Sequence, residues 1–131
     1  MGLRPGDIDY MRQRLKTEKH EPARVVLIRV IGELYEKQFR SELYDFLDDK
    51  SAEIRLVAAC SLANIGDAKC LVHLVDLLDA NDLNTRFLSA RMLRSVTGKN
   101  FGFLSYEKTE QREPRIRAWR QWVTDQPKTF K

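Results

Sequence analysis

The sequence is poor in the side chains that carry most catalytic and metal-binding chemistry. Its 131 residues include two histidines and two cysteines, whereas a zinc site normally takes three or four protein ligands. Cys70, His73 and Asp76 have suitable spacing for one helix face, but the fourth ligand would be Cys60 of another helix, whose orientation the sequence does not give. No Gly-rich phosphate loop, His-Glu-x-x-His or Gly-x-Ser-x-Gly motif occurs. We therefore predict a protein that is not an enzyme and that binds neither a metal nor a cofactor.

Long apolar runs and cysteine clusters are also missing. Residues 1–20 are mostly polar and charged, so we expect no signal peptide, no membrane span and a cytoplasmic protein. Cys60 and Cys70 are too few for a disulfide framework, and we expect both thiols to be reduced. The composition, 43% hydrophobic and 32% charged, suits a single globular domain over residues 1–131.

Acidic residues are scarce at the C-terminal end. Residues 1–82 hold 12 Lys and Arg against 15 Asp and Glu, a net charge of −3, whereas residues 83–131 hold 11 against 4, a net charge of +7. A basic end attracts acidic protein surfaces, phosphates or anionic lipid headgroups. The charge alone does not choose among these three partners.

The sequence does contain a repeat of 31 residues. Arg24, Arg55 and Arg86 are spaced at this interval, and the apolar residues around them recur in phase. The in-phase apolar sets are Ile28, Ala59 and Ala90; Ile31, Leu62 and Leu93; and Leu34, Ile65 and Val96. Spacings of three and four residues within each unit predict amphipathic helices. A period of this length, built from helix pairs, is typical of an α-solenoid.

We predict an all-α fold, a short α-solenoid of about three antiparallel helix pairs that ends in an aromatic C-terminal capping helix. The predicted units are residues 7–37, 38–66 and 67–98, followed by a cap over 99–131. Helices are predicted over 39–49, 52–65, 68–79 and 83–97. Capping and breaking residues set the ends. They are Asp7, Ser51 and Asp82 as N-caps, Pro22 as a first helical residue, and Gly66 and Gly98 as stops.

Aromatic residues concentrate after the last repeat. Residues 100–113 lack helical periodicity, and a final helix is predicted around Ile116. The capping aromatics are Phe101, Phe103, Trp119 and Trp122. We expect these side chains to cover the open end of the last unit, because each buries a large apolar area. The alternative is a patch on which a ligand stacks.

Residues 53–67 resemble the second helix of a HEAT repeat, particularly the short bacterial type also found in phycobilisome-lyase-like proteins. The matching positions are Ile54-Arg55, Ala58-Ala59, Leu62 and Ile65-Gly66-Asp67. The segments 97–103 and 117–122 look like the ending of many bacterial HEAT-repeat proteins. The resemblance implies a structural ladder of hydrogen bonds between units, with Asp48 bound to Arg55 and Asp79 bound to Arg86.

The second helices of the units should line one side of the solenoid and bind another protein there. The predicted partner-binding residues are Arg29, Glu33, Val57, Cys60, Asn64, Leu88, Arg91 and Ser95. Polar residues around an apolar centre are typical of a modest, non-obligate interface. The function predicted first is therefore a non-enzymatic adaptor or scaffold. The alternative for this surface is a solvated face that binds nothing.

Two other functions are compatible with the sequence. The basic C-terminal end could form an anion or nucleic-acid patch, made of Arg94, Lys99, Arg115, Arg117 and Arg120. The resemblance to phycobilisome-lyase-like proteins also suggests an accessory subunit of a lyase or other modifying enzyme. The sequence specifies neither the partner nor the oligomeric state.

Overall fold

The computed structural model describes residues 4–127, and this part of the chain contains seven α-helices and no strand. They are α1 (Pro5–Thr17), α2 (Glu21–Leu34), α3 (Arg40–Phe46), α4 (Ala52–Asn64), α5 (Cys70–Leu77), α6 (Leu83–Thr97) and α7 (Thr109–Thr124). The predicted all-α solenoid fold is confirmed. Residues 1–3 and 128–131 of the predicted domain lie outside the described residues. Among the helices described, none is both long and apolar enough to cross a membrane.

Helix α4 lies at the centre of the fold. It packs against α3, its partner in the helix pair, and also against α2, α5 and α6. The second helices of the three pairs, α2, α4 and α6, therefore form one row with α4 in the middle. Helix α7 packs against α5. This arrangement follows from a repeat in which each unit buries its apolar side against its neighbours.

Two of the three in-phase apolar sets form the core. Ile31, Leu62 and Leu93 are fully buried, and so are the equivalent positions one turn earlier in each unit. Complete burial of each leucine or isoleucine contributes about 1.5–3 kcal/mol to folding. The third set is divided, because Ile65 and Val96 are half-buried whereas Leu34 of the first unit is exposed. The N-terminal unit thus follows the repeat in its core but not on its outer side.

Caps set the ends of the central helices close to the predicted bounds. Ser51 Oγ accepts a hydrogen bond from the N–H of Ile54 (3.4 Å) at the start of α4. The Asp82 carboxylate accepts bonds from the N–H and the hydroxyl of Thr85 (both 2.9 Å) at the start of α6. Gly98 has φ 71° at the end of α6, a conformation that glycine adopts without steric cost.

The start of the chain differs from the prediction. Helix α1 begins at Pro5, so Asp7 is not the N-cap but a residue of the first turn that accepts a bond from the N–H of Arg4 (3.0 Å). Helix α2 begins at Glu21, so Pro22 is its second residue and not its first. Proline is tolerated at either position because the first N–H groups of a helix have no intrahelical acceptor.

The last helix begins earlier than its apolar pattern predicts. Helix α7 starts at Thr109, and its buried positions are Arg112, Ile116 and Trp119. Arginine occupies the first of these positions, which removes the expected apolar periodicity. Its Nε donates to the carbonyl of Glu107 (2.9 Å), and its Nη1 lies 3.9 Å from Asp79 Oδ1. A buried charge with these partners takes the place of an apolar side chain.

The aromatic residues of the C-terminal segment belong to the main hydrophobic core. Phe103 and Trp119 are buried in it, and Phe101 and Trp122 pack against it. The rings of Phe101 and Trp119 meet edge to face with centroids 4.8 Å apart, and those of Trp119 and Trp122 are 6.3 Å apart. Such geometry is favoured for aromatic pairs. The four side chains therefore extend the core beyond α5 and α6.

The predicted ladder pairs, Asp48 with Arg55 and Asp79 with Arg86, are wrong. Arg55 Nη1 donates to the backbone carbonyl of Asp49 (2.6 Å). Arg86, which is in phase with Arg55, donates from its Nη1 to the backbone carbonyl of Ala80 (2.8 Å). Both carbonyls lie in the turn that follows a first helix, outside any helix, so an arginine in the first turn of the next helix reaches them directly. Arg55 and Arg86 recur for this reason and need no carboxylate, whereas Arg24 of the first unit does bond to one.

Two other carboxylates connect successive units. Arg24 Nη2 donates to Asp49 Oδ1 (3.1 Å), which joins α2 to the turn before α4. Asp67 accepts bonds from Arg40 Nη2 (3.0 Å) and from the hydroxyl of Tyr44, which joins α3 to the turn after α4. Burial alone would raise the pKa of Asp49 and Asp67, but the hydrogen bonds that they accept outweigh it and lower the pKa of both.

Candidate protein-interaction groove

The row of second helices forms a groove of about 790 Å³, with α2 and α6 as walls and α4 as the floor. All eight predicted partner-binding residues line it. They are Arg29 and Glu33 on α2; Val57, Cys60 and Asn64 on α4; and Leu88, Arg91 and Ser95 on α6. The 31-residue register explains why they meet. Residues at the same position of successive units stand side by side when the units stack.

The register divides the lining into rows that cross the groove. Each row lies roughly 5 Å, or one helical turn, from the next. From the N-terminal ends of the helices, the rows are Glu53 and Asn84; Val57 and Leu88; Arg29, Cys60 and Arg91; and Glu33, Asn64 and Ser95. An acidic row, an apolar row, a basic row and a polar row therefore follow one another.

The charged groups of the groove differ in their pairing. Arg29 Nη2 lies 2.8 Å from Glu53 Oε2, an exposed ion pair that spans α2 and α4. Within residues 4–127, Arg91 and Glu33 have neither an ion pair nor a side-chain hydrogen bond, and both are exposed. The α6 wall thus presents a cation and the α2 wall an anion, each available to a partner.

The floor of the groove is closely packed and chemically unreactive. A Cβ atom on Gly32 of α2 would overlap with Ser61 Oγ, so the α2 and α4 backbones approach where only glycine fits. Cys60 and Cys70 are free thiols, and burial raises the pKa of Cys60 to about 11 and that of Cys70 to about 12. Burial therefore disfavours the thiolate form of both cysteines.

Several lining residues were missed in the sequence. The informative ones are Glu53, Asp82, Asn84 and Met92. Extending the register by one turn toward the N-terminal ends of the helices would have found Glu53 and Asn84, since they are in phase. Asp82 was assigned only a capping role, although its position before α6 also brings it to the groove.

The predicted anion patch is spread over three segments. Arg94 lies on α6, Lys99 on the following loop, and Arg115, Arg117 and Arg120 on α7. Arg120 Nη1 lies 2.5 Å from Asp76 Oδ1 of α5, so this arginine pairs with an acid of the protein itself. The other four have no ion pair among the described residues. None of the five lines the groove, and this distinguishes them from Arg91, which also lacks an ion pair within the described residues.

The fold and the groove define a protein class, a short α-solenoid whose second helices line a groove. A family model of HEAT repeats matches residues 8–94, and the chain belongs to the HEAT-repeat family. Members of this family generally serve as protein-interaction scaffolds and are typically non-enzymatic. Comparison with curated proteins and with solved structures gives no match.

Proposed function

We propose that this protein is a non-catalytic adaptor that binds a segment of another protein in the groove between α2 and α6. One observation carries the proposal. Eight residues chosen from the 31-residue register line one continuous concavity. A solvated face would need no such concavity, whereas extended concave surfaces are what solenoids use for binding.

The dimensions and the chemistry of the groove fit a peptide segment. Its volume of about 790 Å³ lies within the roughly 300–1,000 Å³ of concave ligand sites. Val57 and Leu88 supply an apolar centre, and charged residues surround it. An apolar centre with a polar rim is the usual anatomy of a non-obligate interface. The bound segment should place an apolar side chain against this centre and a carboxylate against Arg91.

The proposal is tested by Arg91→Glu, with Arg117→Glu as the matched control. Both arginines are exposed, both lack an ion pair within the described residues, and both substitutions change the net charge equally. Affinity capture and mass spectrometry would identify the partner, and calorimetry with the purified partner would give the dissociation constant. We expect Arg91→Glu to weaken binding at least about tenfold, because it places like charges together.

The control should leave the dissociation constant within about twofold, since a remote rim charge contributes little to affinity. Equal losses from both variants would mean that overall charge and not the groove attracts the partner. Unchanged binding by Arg91→Glu would locate the interface elsewhere and contradict the proposal.

The second candidate is binding of nucleic acid or phosphate at the basic C-terminal end. Arg94, Lys99, Arg115 and Arg117 support it, because they are not neutralised by acids of the described residues. This function predicts the opposite result, with Arg117→Glu weakening binding to DNA fragments and Arg91→Glu leaving it intact. Affinity should then fall steeply with salt. Failure to bind DNA at low salt would remove this candidate.

An accessory role beside a lyase or other modifying enzyme is a third proposal, supported by the resemblance of residues 53–67 to the short bacterial repeats also found in phycobilisome-lyase-like proteins. The groove would serve in that case as the docking site for the enzyme. Capture of such an enzyme from a cytoplasmic extract, lost on Arg91→Glu, would support it. Capture of a protein without enzymatic activity would favour the general adaptor.

A further inference from the structure

Helix α2 carries an apolar stripe that faces away from the rest of the described chain. Val26, Val30 and Leu34 are spaced by four residues and are 56%, 38% and 63% exposed. Side chains at i, i+4 and i+8 lie along one helix face. Single exposed apolar residues are ordinary, but an aligned stripe on one helix marks a contact surface.

The repeat register shows what kind of surface the stripe is. The in-phase residues Val57 and Ser61 of α4 face α2, where they lie beside Gly32. Their equivalents on α6, Leu88 and Met92, are also half-buried and line the groove beside α4. In the second and third units this face is therefore partly covered by the preceding second helix, and the remainder of it opens into the groove. Helix α2 has no preceding second helix among the described residues.

The stripe is self-complementary. When two α2 helices run antiparallel about a two-fold axis at Val30, this residue meets its own counterpart and Val26 lies beside Leu34 of the other copy. The same axis places Arg29 of one copy on the same flank as Glu33 of the other, about 3 Å apart along the helix at 1.5 Å rise per residue. Arg29, which pairs with Glu53 of its own chain, then has a second carboxylate within reach, Glu33 of the other copy, on that flank of the stripe.

We propose that a second copy of this chain covers the stripe, which gives a two-fold dimer through α2 and α2 of the partner copy. The covering element is a helix, as it is in the other two units. The charges of Arg29 and Glu33 select a copy of α2 in antiparallel orientation. The dimer adds to the adaptor function, because Arg29 and Glu33 also line the groove and the dimer brings two grooves to one interface.

The main competing arrangement is head-to-tail stacking, in which the stripe of one copy packs on the C-terminal end of another. The structure of that end disfavours this arrangement. Phe87 of α6 is in phase with the buried Val25 and Leu56, yet it is half exposed because no further second helix follows it among the described residues. A loop already occupies part of that face, since Arg86 Nε donates to the carbonyl of Ser105 (2.9 Å). A head-to-tail contact would also generate rings or open filaments, whereas a two-fold contact closes at the dimer.

The dimer should be weak. One face of a 14-residue helix buries much less than the roughly 1,600 Å² of a standard interface. Sedimentation velocity on the full chain over a rising concentration series should therefore show the average mass increasing from monomer toward dimer, and no further. A mass that stays at the monomer value over the whole series would overturn the proposal. Continued growth beyond the dimer would also overturn it and indicate head-to-tail stacking.

Val30→Glu is the decisive variant, because it places two like charges at the two-fold axis. Val72→Glu is the matched control, an exposed valine of α5 on a different part of the surface. We expect Val30→Glu to remain a monomer throughout the series and Val72→Glu to behave as the original chain. Equal behaviour of the two variants would overturn the α2 interface. Circular dichroism verifies that both remain helical.

A charge exchange supplies an independent test of the orientation. Arg29→Glu should weaken the dimer, because the carboxylate introduced in one copy then faces Glu33 of the other. Adding Glu33→Arg should restore it, because opposite charges then face each other again with their signs exchanged. Restoration supports the antiparallel arrangement. A double variant that dimerises no better than Arg29→Glu contradicts it.

Discussion

Each end of the solenoid has an apolar repeat face that no further unit of the described chain covers, and the two ends differ in how far the chain itself buries that face. At the C-terminal end, Phe103 and Trp119 are buried in the main core and the last helix covers α5. At the N-terminal end, α2 exposes Val26, Val30 and Leu34. The C-terminal end is therefore closed over α5 by the chain itself, although Phe87 of α6 is still half exposed, whereas the N-terminal end leaves a whole apolar stripe of α2 exposed.

The difference indicates that one end of a repeat protein can serve mainly stability and the other mainly binding. A solenoid must cover its terminal units with something other than a repeat. A few large aromatic side chains are enough to cover such a unit, because each buries about 150–250 Å². An end without them has a smaller core and a surface ready for association. The C-terminal end should thus contribute more to folding, and the N-terminal end more to assembly.

Trp119→Ala provides the strongest test of this comparison. The indole is 1% exposed and contacts two other aromatic rings, so its removal leaves a large cavity. We expect a loss of about 3–5 kcal/mol in the free energy of unfolding. Tyr10→Ala at the opposite end removes an aromatic that is 65% exposed, and should change the free energy by no more than about 0.5 kcal/mol.

Urea denaturation followed by far-ultraviolet circular dichroism measures both values. If Tyr10→Ala cost as much as Trp119→Ala, the N-terminal end would hold a core comparable with that of the C-terminal end. A small effect of Trp119→Ala would show instead that the aromatic segment is not the closing element.

Much of this fold follows from the sequence, because the 31-residue period fixes which residues become neighbours. The core positions of Leu62 and Leu93 and all eight groove residues were predicted from phase alone. One failure was the choice of bonding partner, which the period does not determine. The ladder pairs were assigned by resemblance, whereas Arg55 bonds to a backbone carbonyl that a sequence does not reveal. The start of α7 was missed because Arg112 occupies a buried position.

A second test concerns the junction between the first and second units. Gly32→Ala would force a Cβ atom into Ser61 Oγ at the closest approach of α2 and α4. Overpacking of this kind costs about 1–3 kcal/mol. Gly6→Ala in α1 is the control, because nothing lies within 4 Å of the added atom. Alanine there should be neutral or stabilise the chain by up to about 1 kcal/mol.

Thermal denaturation of the two glycine variants gives the comparison directly. A destabilised Gly32→Ala variant indicates that the N-terminal unit packs on α4 as closely as the register requires. Equal melting temperatures would mean that α2 shifts to accept the methyl group, so the N-terminal end would be adjustable as well as open.

The smallest effect on stability is expected from lowering the pH. Acid should weaken the bonds accepted by the carboxylates that join successive units before it disturbs the aromatic residues of the C-terminal end. The pKa of Asp67 is lowered in the folded chain, since bonds from Tyr44 and Arg40 outweigh the effect of burial. A lowered pKa stabilises the folded state above the unfolded value of about 3.9, and this stabilisation is lost as the pH falls through the folded value. Asp67→Asn should thus be less stable than the original chain near neutral pH. The difference should shrink below about pH 4.

Asp48→Asn is the matched control, since Asp48 is exposed and bonds to no side chain in the described part. Its stability should follow that of the original chain at every pH.

Both tryptophans lie at the C-terminal end, so their fluorescence reports that end, whereas circular dichroism reports all helices. If acid loosens the carboxylate links first, the helical signal should fall at a higher pH than the fluorescence changes. Coincident transitions would show that the two ends unfold as one cooperative unit.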